Sequence, residues 1–289
     1  MSGIRTHLVS LRTQVRRLVD ESTAEFWTDT DVDESLELGF LEVWNEVVSR
    51  GQDWSVRTSN ISVVSGTELY DLPDNVMRMR RVSRANTDGT FTKIPPLRSL
   101  NSTFGTGGTN LSTSSAGVRF YIEGSQIGFR PKPTAAFTVQ LVYIPNHVSM
   151  VTGTASAGGS STITLASGSD GRDDYYVGAE ITIVSGTGAG QTRRISDYVG
   201  STLVATVGSA WTTTPDSTSV YATHPLVPDL CLKWALLESC SLLEIKDKST
   251  RGEILAERER SRKIAVRLLR LRQTQEPMRI RMVDPDNYV

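Results

Sequence analysis

The sequence predicts an α+β fold: a helical bundle from N- and C-terminal helices plus a small antiparallel β meander, with an inserted all-β domain. Three features of the sequence support this prediction. Near both ends of the chain, apolar residues recur every three or four positions, as on the buried face of a helix. In the middle they alternate with polar residues, as in a strand. Residues 152–222 then interrupt the pattern, because they hold eleven of the 23 glycines, no lysine, and many serines and threonines.

The first two predicted helices differ in charge. Apolar residues at spacings of four and three predict an amphipathic first helix, formed by Ile4, Leu8, Leu11, Val15 and Leu18. After a polar break, Asp31 is the expected N-cap of a second helix, with Glu34 three residues on in a capping box. Acidic residues crowd the first turn of that helix, where the helix dipole favours negative charge.

Strands are predicted from residue 54 onwards, where the apolar period changes to two. Ile61–Val63 and Leu69–Leu72 flank a turn signal at Ser65 and Gly66, which is typical of a hairpin. A three-stranded antiparallel meander is expected further along, over Val118–Ile122, Ile127–Phe129 and Phe137–Ile144.

The stretch 152–222 is predicted to be a separate β module, with short strands between Gly-rich turns. If it is removed, Pro145 runs on naturally to His224, which indicates a domain inserted at a surface loop. The expected division is a core of helices and a β meander over 1–151 and 223–276, the inserted module over 152–222, and an extended tail over 277–289.

A third helix, over Pro225–Ile245, is predicted to be apolar almost all round. Such a helix has neighbours on several sides, either inside a bundle or against another subunit. Three of its residues are the predicted oligomer core: Leu230, Trp234 and Leu237. Beyond it a last charged helix is expected, and then a tail in which apolar and basic residues alternate as in an extended strand.

Charge is balanced over the whole chain, with 31 basic and 32 acidic residues, so composition gives no general argument for nucleic acid or anionic membrane. The two signs are separated along the sequence. Ten acidic residues and no basic ones lie between Asp20 and Glu46, whereas seven basic residues and one acidic residue lie between Arg258 and Arg272. This asymmetry favours self-assembly or a specific partner. The predicted acidic surface comprises Asp29, Asp31, Asp33, Glu34 and Glu37.

No catalytic, cofactor or metal site is predicted. The three histidines lie in different segments and have no metal-ligand spacing. The glycine-rich run Gly186–Thr192 lacks the lysine of a phosphate-binding loop and is flanked by strand signals, so a glycine hairpin is expected. Cys231 and Cys240 fall on opposite faces of one helix and are expected to be buried thiols. No apolar run approaches the roughly 18 residues of a membrane span, and no signal-peptide core is present.

The order of these parts resembles the adaptor, or head-to-tail connector, proteins of tailed bacteriophages. The likeness covers residues 1–150 and 224–289, and its short signatures are Phe26-Trp27-Thr28-Asp29, Tyr70-Asp71-Leu72-Pro73 and the meander 119–133. The inserted stretch separately resembles a β module recurrent in phage structural proteins. The signature of that module comprises Ile181–Ile195, Leu203–Val207, Trp211–Asp216 and Tyr221.

The resemblance implies a structural virion protein and no enzyme. It implies a homo-oligomeric ring, a dodecamer, that joins the portal to tail or nozzle proteins at the head-tail junction and continues the DNA channel. Genomic DNA would pass without sequence-specific binding, no membrane would be involved, and synthesis would take place in the host cytoplasm. The implied portal-docking residues are Arg267, Arg270, Arg272, Met278, Arg279, Ile280, Arg281 and Met282. The acidic surface would face either the channel lumen or a neighbouring subunit.

Two alternatives stay open. The protein is a tail component that binds a receptor or glycan through the β module, or it is an enzyme. The enzyme's site would be assembled from Asp173, Asp174 and the loop Ser99–Gly117.

Overall fold

The computed structural model describes residues 7–21, 26–49, 56–97, 118–247 and 252–273. The chain divides into two compact units, one formed by residues 1–17 and 53–226 and the other by 18–52 and 227–289. The first is rich in strands and the second is helical. Helices and antiparallel sheets are both present in quantity, which confirms the α+β class.

The first helix, α1 (Leu8–Leu18), belongs to the strand-rich unit through Arg17. Its apolar stripe buries Leu8, Leu11 and Val15, as the spacing predicts, whereas Leu18 at the end of the predicted stripe is 41% exposed. The expected first residue of the stripe, Ile4, lies outside the described residues. His7, just before α1, packs its ring edge-on against His224, with 5.9 Å between the ring centroids.

Seven strands form two antiparallel sheets in the same unit. The four-stranded sheet has the order β1-β7-β3-β4 and the three-stranded sheet the order β2-β6-β5. A shared core includes Val63, Val82, Phe129 and Leu141. The strands are β1 (Arg57–Val63), β2 (Leu69–Asp71), β3 (Val76–Ala85), β4 (Phe91–Lys93), β5 (Arg119–Glu123), β6 (Gln126–Arg130) and β7 (Phe137–Pro145).

Two of the predicted pairings are wrong. The expected hairpin around Gly66 does not form, because β1 pairs with β7 along all seven of its residues while β2 pairs with β6. Seven paired residues offer β1 more backbone hydrogen bonds than the three residues of β2 can. The expected three-stranded meander is a hairpin of β5 and β6 only. Strand β7 leaves it to become a central strand between β1 and β3.

The stretch 152–222 forms one seven-stranded antiparallel sheet of order β8-β14-β11-β12-β13-β10-β9. Its β11–β12 turn carries three glycines with positive φ, Gly186, Gly188 and Gly190, so the predicted glycine hairpin is confirmed. The strands are β8 (Thr152–Thr154), β9 (Ala157–Gly158), β10 (Thr162–Thr164), β11 (Glu180–Ser185), β12 (Thr192–Val199), β13 (Val204–Val207) and β14 (Val220–Thr223).

The helical unit consists of α2 (Asp29–Ser49), a 3-10 turn (Asp229–Cys231), α3 (Leu232–Asp247) and α4 (Gly252–Gln273). Helix α3 packs against both α2 and α4. Gly39 of α2 permits a close approach to α3, because a Cβ there would lie 2.9 Å from the carbonyl oxygen of Ala235.

The capping box of α2 lies three residues earlier than predicted. Thr28 is the N-cap, since its hydroxyl accepts the backbone N–H of Asp31 at 3.1 Å while the Asp31 carboxylate accepts the Thr28 N–H at 3.0 Å. Asp31 therefore sits at the third helical position, where a carboxylate can reach back to the cap.

Candidate interaction surfaces

The five acidic residues predicted for a lumen or subunit interface all lie in the first half of α2. They are Asp29, Asp31, Asp33, Glu34 and Glu37. Asp31 is engaged locally with Thr28, whose hydroxyl donates to its carboxylate at 2.6 Å. Glu34 is exposed and projects from the solvent side of the helix, so of these two it is the one available to a partner.

The solvent side of α2 also carries two large apolar side chains. Leu38 is 54% exposed and Leu41 is 37% exposed. The opposite side of the helix is fully buried at Val32, Leu36, Phe40, Val43, Trp44 and Val47. The solvent side thus combines acidic and apolar side chains on a helix that already packs its other face.

Helix α4 holds the first of the predicted portal-docking residues. Arg267 is exposed on it, and Arg270 and Arg272 belong to its last turns, although their side chains lie outside the described part of the chain. The exposed side of α4 also presents Ile264 and Leu268, which are 51% and 44% exposed. The remaining docking residues lie outside the described residues: Met278, Arg279, Ile280, Arg281 and Met282.

The three residues predicted as an oligomer core have different surroundings. Trp234 and Leu237 of α3 are buried within the helical unit, at 1% and 5% exposure. The indole N–H of Trp234 donates to Glu238 at 3.3 Å, and the Arg262 guanidinium lies over the indole ring. Leu230, in the 3-10 turn before α3, is 39% exposed. Trp234 and Leu237 therefore fill the core of the subunit, and Leu230 lies at its surface.

Cys231, at the end of the 3-10 turn, and Cys240 of α3 are free thiols and buried, as predicted. Burial raises the pKa of the Cys231 and Cys240 thiols to about 12, because a thiolate would lose its hydration in this apolar helix core. Both thiols are therefore protonated and inert under ordinary conditions.

A polar joint connects the first sheet to the β module. The guanidinium of Arg57, on β1, donates to the carbonyl oxygens of Asp174 and Tyr175 at 2.7 and 3.2 Å. The side-chain amide of Asn75 donates to the same Asp174 carbonyl at 3.4 Å and accepts the Tyr143 hydroxyl at 3.1 Å. Arg57, Asn75 and Tyr143 are all buried.

Burial sets the electrostatics of this joint. It lowers the pKa of Arg57 and raises that of Tyr143, since both charged forms would be poorly solvated. Asp174 has a positive φ of 60°, which directs its carbonyl oxygen toward these donors. An aspartate tolerates that backbone region better than most residues.

A cleft of about 600 Å³ adjoins the joint, lined among others by Arg57, Asp174, Arg194 and Asp197. Burial raises the pKa of the Asp174 carboxyl, and the nearby charge of Asp197 adds to the effect. Asp173 has a structural contact, because its carboxylate accepts the backbone N–H of Gly200 at 2.7 Å. The enzyme alternative placed Asp173 and Asp174 with the loop Ser99–Gly117, which lies outside the described residues.

The joint was not predicted from the sequence. Arg57, Asn75 and Tyr143 are separated by many positions, and each has a plausible solvent-exposed role when considered alone. Arg57 and Tyr143 become register partners only because β1 pairs with β7, and that pairing was not predicted. A buried arginine that binds backbone carbonyls leaves no local signature in a sequence.

Within the described ranges, no group of three or more histidine, cysteine or acidic side chains is arranged to hold a metal ion. No helix among them is long and apolar enough to cross a membrane.

Comparison with known proteins supports the resemblance that the order of helices and strands indicates. A family model described as SU10 adaptor protein matches residues 7–179, which is more than half of the 289-residue chain. The match covers α1, α2 and the two sheets formed by β1–β7, and it ends inside the β module before β11. No curated protein matches the chain. The expected resemblance is thereby confirmed, and the chain belongs to the SU10 adaptor protein family, a family of phage head-tail adaptors.

Proposed function

We propose that this head-tail adaptor assembles into a closed ring of twelve identical subunits, which joins the portal to the tail and continues the DNA channel. The family match over residues 7–179 is the observation that carries this proposal. The helical unit supports it, because α2 and α4 expose apolar side chains beside charges of opposite sign. Two different complementary surfaces on one subunit are what a closed head-to-tail ring requires.

The ring would let DNA pass without holding it. Tight binding to DNA depends on neutralising phosphates with lysine and arginine. Helix α2 contains seven acidic residues and no basic one, so any of it that reached the channel would repel the phosphate backbone. Sequence-specific recognition of genomic DNA plays no part in this proposal, and neither does a membrane.

The proposed place of action is the head-tail junction of the virion, after synthesis in the host cytoplasm. The portal is one partner and the tail or nozzle proteins are the other. Arg267, Arg270 and Arg272 of α4, together with the alternating residues Met278–Met282, form the proposed portal-docking segment. The receptor- or glycan-binding alternative has no support from the family match, which identifies an adaptor.

Residues 152–222 are proposed to be an insertion into the adaptor core, with 277–289 as an extended tail. The chain enters and leaves the module at adjacent points, because Thr152 and Ala222 are register partners in β8 and β14. Just outside them, the N–H of Thr223 donates to the carbonyl of Val151 at 2.9 Å. This narrow neck is what a domain inserted at one loop requires.

Light scattering and negative-stain imaging of the purified protein, alone and mixed with the portal, test the proposal. Rings or portal-bound collars are expected. Trimers or a persistent monomer that does not bind the portal would contradict it.

The docking segment is tested separately by removing residues 277–289. The truncated protein is expected to fold but to bind the portal much more weakly, with the full-length protein as control. Equal binding of both proteins would remove the tail from the docking role. Titrations at low and raised salt then report the part played by the arginines, since salt screens charge pairs.

A further inference from the structure

The exposed sides of α2 and α4 form two matching stripes. We define the acidic stripe as Glu34, Leu38, Leu41 and Glu42 of α2, and the basic stripe as Arg260, Lys263, Ile264, Arg267 and Leu268 of α4. Every residue of both stripes is exposed. Spacings of three and four residues place each set along one side of its helix.

Each stripe has a pair of large apolar side chains at its centre. Leu38 and Leu41 are three residues apart, and Ile264 and Leu268 are four apart, so within each pair the side chains are neighbours on the helix surface. Exposed apolar pairs rimmed by charges are typical of protein-protein contacts. The helices have 21 and 22 residues, so each is about 32 Å long and the two can lie side by side along most of their length.

Most of the charges beside these pairs are not neutralised within the subunit. Arg260 lies 3.8 Å from Glu257, but among the described residues Glu34, Glu42, Lys263 and Arg267 form no ion pair. Two of the three acidic residues of α4 are engaged within the subunit, since Glu257 also pairs with Lys233 and Glu259 lies 3.6 Å from Arg258. The two stripes therefore keep opposite net charges.

The signs of the charges exclude symmetric pairing of like stripes. Two acidic stripes would bring Glu34 and Glu42 against each other, and two basic stripes would oppose Lys263 and Arg267. Like charges across a contact cost several-fold more than rim pairs contribute. The favourable contact is acidic stripe to basic stripe. One subunit then uses two different surfaces, which generates a ring when the rotation closes.

We propose that the acidic stripe of one copy docks on the basic stripe of the next copy of this chain, and that Glu34 and Glu42 are thus subunit-interface residues. The inference rests on the proposed ring, and it uses Arg267 between subunits, which leaves Arg270, Arg272 and Met278–Met282 for the portal. It goes further because it names the two helix faces that are in contact, the acidic stripe of one subunit and the basic stripe of the next.

Charge reversal in two separate chains tests it. The first variant carries Glu34→Lys and Glu42→Lys, and the second carries Lys263→Glu and Arg267→Glu. In each variant alone, both stripes have the same sign, so the concentration needed for assembly is expected to rise about tenfold or more. In an equimolar mixture each contact again joins opposite signs, so assembly returns as an alternating ring. A single chain carrying all four substitutions is also expected to assemble by itself.

The controls distinguish failure of the proposed ring from failure of the proposed contact between stripes. Glu123→Lys with Lys93→Glu reverses exposed charges on strands and is expected to leave assembly unchanged. If wild-type protein forms no ring, the proposed function and this inference both fail. If wild-type protein forms rings and either single-stripe variant assembles as well, the stripe contact is wrong and the ring stands. Failure of both the mixture and the four-substitution chain to assemble would also overturn it.

Discussion

The β module and the helical unit differ in whether their polar side chains bond within the subunit or are exposed to solvent. In the module, Gln191 alone donates to the carbonyls of Gly188 and Thr213 at 3.0 and 2.8 Å and accepts the N–H of Thr212 at 2.6 Å. In the helical unit, charged and apolar side chains stand together on the solvent sides of α2 and α4. Gln191 of the module thus bonds within the module, whereas the helices expose groups that a second molecule can satisfy.

Different side chains are therefore expected to stabilise the folded subunit and to join it to other subunits. Side chains inside the helical unit, such as Trp234, hold the subunit together, and those on its solvent sides are free to join subunits. In the strand-rich unit, the Arg57 joint ties the module to the first sheet. Each region can be tested by a substitution that acts on it and a matched one that does not.

The largest effect is expected inside the helical unit. Trp234→Ala removes a side chain that is 1% exposed, so it should lower the free energy of unfolding by about 3–5 kcal/mol. Denaturation followed by far-ultraviolet circular dichroism measures this loss. The matched change is Leu230→Ala, at a side chain 39% exposed, for which a loss below about 1 kcal/mol is expected in the unassembled subunit. An unshifted transition for Trp234→Ala would show that α3 is not the core helix.

An intermediate effect is expected at the joint. Arg57→Met removes the donor to the Tyr175 carbonyl and one donor to the Asp174 carbonyl, which should cost about 1–3 kcal/mol. Arg194→Met is the control, because Arg194 lines the same cleft but is exposed, and a change within about 0.5 kcal/mol is expected. Equal effects of the two substitutions would mean that the carbonyl contacts contribute nothing specific.

Deleting the module tests whether the effect of Arg57→Met depends on the carbonyl groups of the module. A chain in which a short Gly-Ser linker replaces residues 152–222 is expected to fold, and in it Arg57→Met should be nearly neutral because the carbonyl partners are gone. A double-mutant cycle measures the difference as a coupling energy. If the shortened chain is insoluble, the module is structural and the insertion proposal fails.

Local patterns predicted much of this fold. The stripe of α1, the apolar faces of α2 and α3, and the glycine turn of β11–β12 all depend on residues within a few positions of each other. The position of the α2 cap was wrong by three residues because Thr28 and Asp31 are both good capping residues. Only the structure shows that Thr28 is the N-cap and Asp31 the third helical residue, with each side chain accepting the backbone N–H of the other.

Non-local features could not be predicted in the same way. Strand β2 pairs with β6 and not with β1, its neighbour in sequence, and β7 pairs with β1 and β3. Such pairings depend on strands that are distant in sequence, so local patterns do not reveal them. The joint follows from that pairing, since Arg57 and Tyr143 meet only across β1 and β7. The stripes lie between these cases: their charges were visible in the sequence, but the exposure of Leu38 and Ile264 was not.

The smallest effect is expected at a half-exposed carboxylate of the first unit. Glu68 accepts hydrogen bonds from the Tyr121 hydroxyl and from Arg130 Nε, each at 2.7 Å, and these two contacts hold the pKa of Glu68 below its ordinary value of 4.5. A carboxyl whose pKa is lower in the folded state stabilises the fold above its unfolded pKa. That contribution is lost as the pH falls below 4.5 and through the folded pKa.

Glu68→Gln should therefore weaken the dependence of stability on pH below 4.5, while Glu123→Gln, an exposed change on β5, should leave it as in the wild type. Solvent screening at a side chain 33% exposed keeps the effect small. Urea denaturation at a series of acidic pH values measures it. Parallel pH profiles for wild type and Glu68→Gln would show that Tyr121 and Arg130 do not stabilise the charged form. Because Glu68 belongs to the strand-rich unit and both stripes belong to the helical unit, ring assembly at neutral pH should be the same for the wild type and this variant.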